Sequence, residues 1–219
     1  MKKAVIFDLD GTLLDTLRDL CESVNATMRH FGFPTRTIDE VRAFIGNGVP
    51  KLVERSSPEG TDRELLKIEI KYFEDHYREH CRDNTCVYDG IIGTLTELRR
   101  RGFSLGVVSN KVDFAAKKLC REYFGEIIDI AQGQTELLPP KPSPLSLVAI
   151  VKQLGADTAI YVGDSDVDIM TAKGANVPCI SVTWGFRTRE FLQENGAKYI
   201  ADNTAEMLKI IEKISKTEE

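Results

Sequence analysis

The chain has 219 residues, of which 42% are hydrophobic and 29% charged, and its formal net charge at pH 7 is −5. These values are typical of a globular protein with a sizeable core, either one large domain or one domain with an insertion. Because the sequence has no basic block and no apolar stretch near the ~20 residues of a membrane helix, we expect no nucleic-acid partner, no membrane partner and a cytoplasmic location.

The amino terminus begins with a short apolar run, Ala4 to Phe7, which predicts a buried strand of a parallel sheet. Asp8 and Asp10 follow this run, and Gly11 then turns the chain. Carboxylates at the end of a buried strand are costly unless their charge is compensated, and a hard cation such as Mg²⁺ would compensate both. An aspartate can also attack phosphorus and form an aspartyl-phosphate. The alternative is a strand that ends in a solvated Asp-Gly turn.

Residues 15 to 82 contain no convincing strand, and the sequence predicts a helical insertion after the first strand. The predicted helices of this segment are Asp15 to Phe31, Val41 to Phe44, Val49 to Glu54 and Arg63 to Cys81. We therefore predict two domains, a core formed by residues 1–14 and 83–219 and a helical cap formed by residues 15–82.

Beyond about residue 90 the predicted helices and strands alternate, which is typical of an α/β protein with a parallel sheet. The predicted strands are Ser104 to Val108, Ile127 to Ala131, Ala159 to Val162 and Pro178 to Val182. The predicted helices are Ile91 to Arg101, Phe114 to Tyr123, Leu145 to Leu154, Ile169 to Gly174 and a closing helix with Thr204 as its expected N-cap.

Polar residues follow several of these strands. Asp8 follows the first strand, Ser109 and Asn110 follow another, Asp164 follows a third, and Lys141 lies in a proline-rich loop. In open parallel sheets the ligand binds at the carboxyl ends of the strands, so we expect these side chains to converge. Phosphoryl transfer needs a metal, a nucleophile and donors for the peripheral oxygens, and this set can supply all of them.

Four motifs occur in order between residues 8 and 168. They are Asp8-Leu9-Asp10-Gly11-Thr12, Ser109-Asn110, Lys141-Pro142 and Gly163-Asp164-Ser165-Asp166-Val167-Asp168. With these motifs the chain resembles the haloacid dehalogenase superfamily of phosphatases, and its helical insertion resembles the small cap of that family. The resemblance implies an α/β fold with a Rossmann-like parallel sheet core and a small helical cap domain inserted after the first strand.

The resemblance also implies roles for the acidic residues. Asp8 would attack phosphorus and become the aspartyl-phosphate. Asp10 would protonate the leaving alcohol and then deprotonate the hydrolytic water, acting in turn as acid and base. The implied cofactor is Mg²⁺, held by the carboxylates of Asp8 and Asp164 and the backbone carbonyl of Asp10.

The implied phosphate-binding residues are Ser109, Asn110 through its backbone amide, and Lys141. Lys141 would also offset the charge of the acidic cluster. Asp168 would support the metal or Lys141 from behind.

The cap stretch from Val41 to Arg55 resembles that of phosphoglycolate phosphatases, where glycines let the backbone approach the site and an arginine meets a substrate carboxylate. The residues expected to set substrate specificity are Gly46, Asn47, Gly48 and Arg55. The alternative is a plain helix-loop-helix connection. Ser143 departs from the family pattern, because phosphoglycolate phosphatases usually carry a histidine between the two prolines.

The expected function is therefore that of a Mg²⁺-dependent phosphate monoester hydrolase that acts through an aspartyl-phosphate. The expected substrate is phosphoglycolate or a similar small phosphate ester, and the sequence does not indicate an oligomeric state. Open alternatives are a phosphomutase resembling β-phosphoglucomutase, a pyrophosphatase or nucleotidase of the same superfamily, and a non-catalytic phospho-receiver module.

Overall fold

The structure is a computed structural model, and it describes residues 1–135 and 137–217. Its strands are β1 (Lys3–Phe7), β2 (Leu14–Asp15), β3 (Cys86–Val87), β4 (Ser104–Val112), β5 (Ile130–Gln134), β6 (Thr158–Gly163), β7 (Cys179–Val182) and β8 (Tyr199–Ala201). Its helices are α1 (Leu17–His30), α2 (Ile38–Phe44), α3 (Val49–Ser56), α4 (Arg63–His80), α5 (Ile91–Arg100), α6 (Asp113–Phe124), α7 (Leu145–Gln153), α8 (Asp166–Gly174), α9 (Arg189–Glu194) and α10 (Thr204–Thr217). Among the helices of the described residues, none combines the length and the apolar character needed to cross a membrane.

The chain divides into two compact units. The core unit contains Met1–Leu14 and Val87–Glu219, and the helical unit contains Asp15–Cys86. The predicted cap, residues 15–82, falls within the helical unit, which continues to Cys86.

The core unit is built on a six-stranded sheet with the strand order β5-β4-β1-β6-β7-β8. Every described strand pair of this sheet is parallel. The chain moves outward from β1 in one direction to β4 and β5 and in the other direction to β6, β7 and β8. The predicted α/β fold with a Rossmann-like parallel sheet is thus confirmed, and β1 lies where the strand order reverses, which is the usual ligand position in such sheets.

The register of the central strands determines which residues meet at the carboxyl edge. Phe7, the last residue of β1, lies opposite Val107 of β4 and Val162 of β6. Asp8 is therefore level with residues 108 and 163, so the polar residues that follow these positions are brought to one edge of the sheet.

Both faces of the sheet are covered by apolar packing. On one face, Ile6 packs in a buried cluster with Ile150 of α7 and Ala172 of α8. Val5 and Phe7 alternate with Ile6 along β1 and point to the opposite face, and both are fully buried. Helices α5 and α10 contact each other and the sheet strands. A strand enclosed on both sides in this way leaves only its ends for polar chemistry.

The helical unit packs α1 against α2, α3 and α4. Helix α4 begins where the Asp62 side chain accepts hydrogen bonds from the backbone N–H groups of Glu64 and Leu65, first-turn donors that have no carbonyl partner within the helix. Its buried stripe includes Phe73 and Tyr77, as the sequence predicts. The four predicted helices of this segment are all present, with ends that differ from the predicted ones by a few residues.

Candidate active site

Asp8 lies at the end of β1, where its backbone N–H donates to the carbonyl of Val162 at 2.8 Å and so continues the ladder with β6. Its Oδ1 lies 2.9 Å from Nζ of Lys141. Burial raises the pKa of Asp8 to about 7, because the attraction of Lys141 only partly offsets the loss of water and the repulsion of Asp168. The ionised form of this carboxyl group therefore depends on cationic partners.

The turn after β1 presents Asp10. Gly11 has a φ of +83°, and a Cβ atom at this position would lie 2.4 Å from Oδ2 of Asp164, so the close approach requires glycine. Oδ1 of Asp10 lies 2.8 Å from Nζ of Lys111, and the two side chains are 14% and 4% exposed. The predicted acid-base residue is thus held in an ion pair with a buried lysine.

The end of β4 supplies Ser109 and Asn110, both buried. The Asn110 side chain donates to the backbone carbonyl of Lys141 at 3.0 Å and accepts from its N–H at 2.7 Å. Ser109 Oγ accepts a hydrogen bond from the backbone N–H of Lys111 at 3.2 Å. The Asn110 side chain therefore fixes the loop that carries Lys141, a contact that the sequence did not predict.

The Lys141 ammonium group contacts three polar groups of the site. Besides Asp8, its Nζ contacts Oδ1 of Asp168 at 2.7 Å and the hydroxyl of Tyr161 at 3.0 Å, and its side chain is 3% exposed. Burial disfavours its ammonium form, but Asp168 and Asp8 outweigh this effect and raise the pKa of Lys141 above its usual value. Lys141 is consequently a permanent positive charge beside the Asp8 carboxylate.

Asp168 holds Lys141 in place from the first turn of α8. Its Oδ1 accepts from Lys141 and from the Tyr161 hydroxyl at 3.0 Å. Its Oδ2 accepts from the backbone N–H of Ser165 at 3.1 Å and from the Ser165 hydroxyl at 2.5 Å. The backbone N–H of Asp168 in turn donates to Ser165 Oγ at 3.4 Å, which completes a capping box. Of the two roles left open by the sequence, the contact with Lys141 is present, and a role toward a metal stays a prediction.

Asp164 follows β6 and is fully buried at the same edge. Its Oδ2 accepts a hydrogen bond from the backbone N–H of Phe186 at 2.7 Å. Burial, together with the negative charges of Asp168 and Asp8, raises the pKa of Asp164 well above its usual value. Like Asp8, this carboxyl group needs a compensating charge to ionise.

Among the described residues of this edge, carboxyl groups outnumber ammonium groups. The four carboxylates belong to Asp8, Asp10, Asp164 and Asp168, and the ammonium groups paired with them belong to Lys111 and Lys141. Carboxylate oxygens of Asp8, Asp164 and Asp168 lie within 4.8 Å of one another. With all four carboxyl groups ionised, a divalent cation would balance the two surplus charges, and an all-oxygen donor set suits a hard cation. The residues therefore fit a divalent metal.

The loop between α2 and α3 of the helical unit contains the predicted specificity residues. Gly46 and Gly48 have φ values of +122° and +82°, conformations that residues with a side chain rarely adopt. The Arg55 guanidinium donates to the carbonyl of Phe44 at 2.8 Å and to Oδ1 of Asn47 at 2.9 Å. Arg55 thus braces this loop, and its contact with a substrate stays a prediction.

Lys111 and Tyr161 are site residues that the sequence interpretation missed. Tyr161 belongs to an apolar strand, where the pattern gives no sign that its hydroxyl reaches Lys141. Lys111 had a usable signal: side chains two apart in a strand point to the same side, so a strand extended past Ser109 places Lys111 beside it. The predicted strand ended at Val108, whereas β4 continues to Val112.

Residues 5–182 match the family described as haloacid dehalogenase-like hydrolases. The chain belongs to this family. A phosphoglycolate phosphatase from Pseudomonas savastanoi pv. phaseolicola is 34% identical over 211 residues, which cover 92% of this chain and 77% of that protein. The predicted resemblance to phosphoglycolate phosphatase-like members of the haloacid dehalogenase superfamily is confirmed.

Two solved structures share this fold. A Lactobacillus delbrueckii subsp. bulgaricus protein, provisionally named a phosphoglycolate phosphatase, has a TM-score of 0.91 and 33% identity, covering 96% of this chain and 99% of its own. The protein CbbY from Rhodobacter sphaeroides, solved in complex with phosphate, has a TM-score of 0.72 and 26% identity, covering 94% and 96% of the two chains.

Proposed function

We propose that this chain is a Mg²⁺-dependent phosphate monoester hydrolase that acts through an aspartyl-phosphate on Asp8. The observation that carries the proposal is the buried Asp8 carboxylate, which lies 2.9 Å from Nζ of Lys141 and in one cluster with Asp164. A nucleophile, a fixed positive charge and a cation-binding carboxylate are what in-line phosphoryl transfer requires. The phosphatase names of the relatives and the phosphate bound to CbbY support the same reaction class.

The proposed reaction has two steps. In the first, an Asp8 oxygen forms a bond to phosphorus while the bond to the ester oxygen breaks, and Asp10 gives a proton to the departing alcohol. In the second, Asp10 takes a proton from water as the water oxygen bonds to phosphorus, which releases phosphate and restores Asp8. Asp10 ends each cycle protonated, ready to act again as an acid.

The peripheral oxygens of the phosphoryl group would be held by Ser109, the backbone N–H of Asn110 and Lys141. The Asn110 side chain supports this assignment indirectly, since its two hydrogen bonds to the Lys141 backbone hold the lysine loop against β4. Fixed donors of this kind stabilise charge that develops in the transition state without having to reorganise.

For Mg²⁺ we propose the carboxylates of Asp8 and Asp164 and the backbone carbonyl of Asp10 as protein ligands. A bound Mg²⁺ would offset the negative charge of the transferring phosphoryl group. We propose that Asp168 holds Lys141 in place and is not a metal ligand, because its oxygens are already hydrogen-bonded to Lys141, Tyr161 and Ser165.

As substrate we propose phosphoglycolate or another small phosphate ester that carries a carboxylate, and we propose a cytoplasmic location. The names of the relatives support this substrate class. Gly46, Asn47, Gly48 and Arg55 are the proposed specificity residues. Arg55 is exposed and already fixed by Phe44 and Asn47, so its guanidinium is oriented before any ligand arrives.

The test measures phosphate release from a panel of small phosphate esters, phosphoglycolate included, with Mg²⁺ and with a chelator. We expect turnover that requires Mg²⁺, is highest for one ester and is abolished by Asp8→Asn. Asp166→Asn is the matched control, because it neutralises a nearby acid at the start of α8 and should keep its activity.

Three outcomes would contradict the proposal. Absence of turnover on the whole panel would favour a phospho-receiver. A strict need for a bisphosphate activator would favour a mutase. Appreciable activity in Asp8→Asn would refute the covalent role of Asp8.

A further inference from the structure

Lys111 is a buried lysine whose ammonium group contacts Asp10. It lies in β4 two residues after Ser109, and its Nζ lies 2.8 Å from Oδ1 of Asp10, a residue 101 positions away in sequence. The Lys111 side chain is 4% exposed and that of Asp10 is 14% exposed. Burying an ammonium group is costly unless it is paired, and the Asp10 carboxylate supplies such a partner.

The pair constrains Asp10 more than it constrains Lys111. Asp10 lies in the turn after β1, and its short side chain has few rotamers in which one oxygen still reaches Nζ. Oδ1 accepts from the ammonium group, so Oδ2 is the oxygen left to exchange a proton with a substrate. Lys111 lies in strand β4, and strands hold functional groups more rigidly than turns do.

We infer that Lys111 is a positioning residue that holds the Asp10 carboxylate through Oδ1, so that Oδ2 faces the departing ester oxygen. The inference rests on the proposed function, since it presumes that Asp10 is the acid of the first step. No bond to Lys111 forms or breaks. Its contribution is the orientation of the group that transfers the proton.

The leaving group tests this role. An alkyl alcohol leaves only with a proton, whereas 2,4-dinitrophenolate leaves without one, so only alkyl esters need a well-placed acid. For Lys111→Met we expect kcat/KM to fall about 10- to 100-fold for alkyl phosphates, part of the ~10²- to 10⁴-fold that a positioned acid supplies. For 2,4-dinitrophenyl phosphate we expect a fall of less than about threefold, because a poorly placed acid costs this ester little.

A double-mutant cycle separates positioning from a general effect of charge. In an Asp10→Asn background, Lys111→Met should change kcat/KM for the alkyl esters by less than about threefold, because the residue through which Lys111 acts is already inactive. If Lys111 instead bound substrate phosphate directly, its loss would lower kcat/KM for both kinds of ester and in both backgrounds. That result would overturn the inference.

Lys117→Met is the matched control. Lys117 also pairs with an aspartate, Asp113 at 2.7 Å, but its side chain is 55% exposed on α6. This variant should leave kcat/KM unchanged for both kinds of ester. Thermal unfolding of each variant establishes that the comparison is made on folded protein.

A structural measurement keeps the inference distinct from the proposed function. In a crystal structure of Lys111→Met, the Asp10 carboxylate should leave the position seen with lysine, whereas Asp8 and Lys141 should stay in contact. An unmoved Asp10 carboxylate would overturn the inference even in an active enzyme. Absence of activity in the unmutated protein, together with a displaced Asp10, would refute the proposed function and leave the positioning contact established.

Discussion

Ion pairs at the carboxyl edge of the core sheet differ from those on the helical unit in burial and in sequence separation. At the carboxyl edge of the core unit, Lys141 pairs with Asp8 and Asp168, residues far from it in sequence, and all three side chains are buried or nearly so. On the helical unit, pairs such as Lys71 with Asp75 join residues one turn apart on an exposed helix face. Buried pairs often add little to the free energy of unfolding compared with apolar side chains of the same size. Exposed pairs usually add less than about 1 kcal/mol.

The difference indicates what each kind of pair is for. Burying a charged pair at the centre of a sheet edge costs free energy, because both charges are removed from water. Such a pair is better explained by a role in the reaction than by a role in stability. A pair on a solvated helix face is explained by solubility and a small helical preference. The predictions below test this contrast, starting with the substitution that should disturb the protein most.

Lys141→Met should produce the largest effect. It leaves the Asp8 and Asp168 carboxylates buried without their shared cation, so the free energy of unfolding should fall by about 3–5 kcal/mol. Phosphate release should fall about 10²- to 10³-fold, because a fixed positive charge at the phosphoryl group is lost. Denaturant unfolding and a phosphate assay measure the two effects. A variant that unfolds within about 1 kcal/mol of the parent would show that the buried charges are not held by Lys141.

Mg²⁺ should stabilise the protein more at pH 8 than at pH 5.5. The pKa of Asp8 is about 7 in the folded chain, above its usual value, so the folded state binds more protons than the unfolded state between about pH 4 and pH 7. Without metal, stability therefore falls as the pH rises through this range. A bound cation favours the ionised carboxylates and should restore the free energy of unfolding that is lost as the pH rises.

The corresponding measurement is the midpoint of thermal unfolding with Mg²⁺ and with chelator at each pH. The same Mg²⁺ concentration, about 100 times the Kd at pH 8, is used at both pH values. At pH 8 it should raise the midpoint by about 5–11 °C. At pH 5.5 the increase should be clearly smaller. Equal increases at the two pH values would contradict the assignment of Asp8 to the cation site, and Asp164→Asn should remove the increase altogether.

Tyr161→Phe should have a smaller effect on the same cluster. The Tyr161 hydroxyl contacts Nζ of Lys141 and Oδ1 of Asp168, each at 3.0 Å, but these two groups also bind each other. Loss of the hydroxyl should therefore cost about 1 kcal/mol of stability and lower kcat roughly fivefold. Steady-state kinetics and denaturant unfolding test this, and a loss as large as that of Lys141→Met would mean that Tyr161 has a direct role in the reaction.

The sequence predicted the residues that end strands better than those that lie within them. Asp8 and Asp164 were recognisable because a carboxylate that stops an apolar run has few structural explanations. Lys111 was not, since its strand continues four residues past the predicted end at Val108, and nothing in the local pattern indicates pairing across to Asp10. Such contacts depend on register, which tertiary structure determines.

Several predicted ends of helices and strands were wrong for local reasons. Helix α8 begins at Asp166, three residues before its predicted start at Ile169, because Ser165 and Asp168 form a capping box within the acidic motif. Strand β5 covers Ile130–Gln134 instead of 127–131, since Gly125–Ile127 forms a short 3₁₀ turn first. Helix α9 and strand β8 were not predicted, being too short to show a periodic pattern.

Lys71→Gln should have the smallest effect, and it completes the contrast. Lys71 Nζ lies 2.7 Å from Oδ1 of Asp75, the same separation as in the pair of Lys141 with Asp168. The Lys71 and Asp75 side chains are 64% and 49% exposed, so water solvates both charges whether or not they are paired. We expect no measurable change in the free energy of unfolding or in phosphate release. A substantial loss of either would mean that the distance between charges matters more than their burial, and the contrast between buried and exposed pairs would fail.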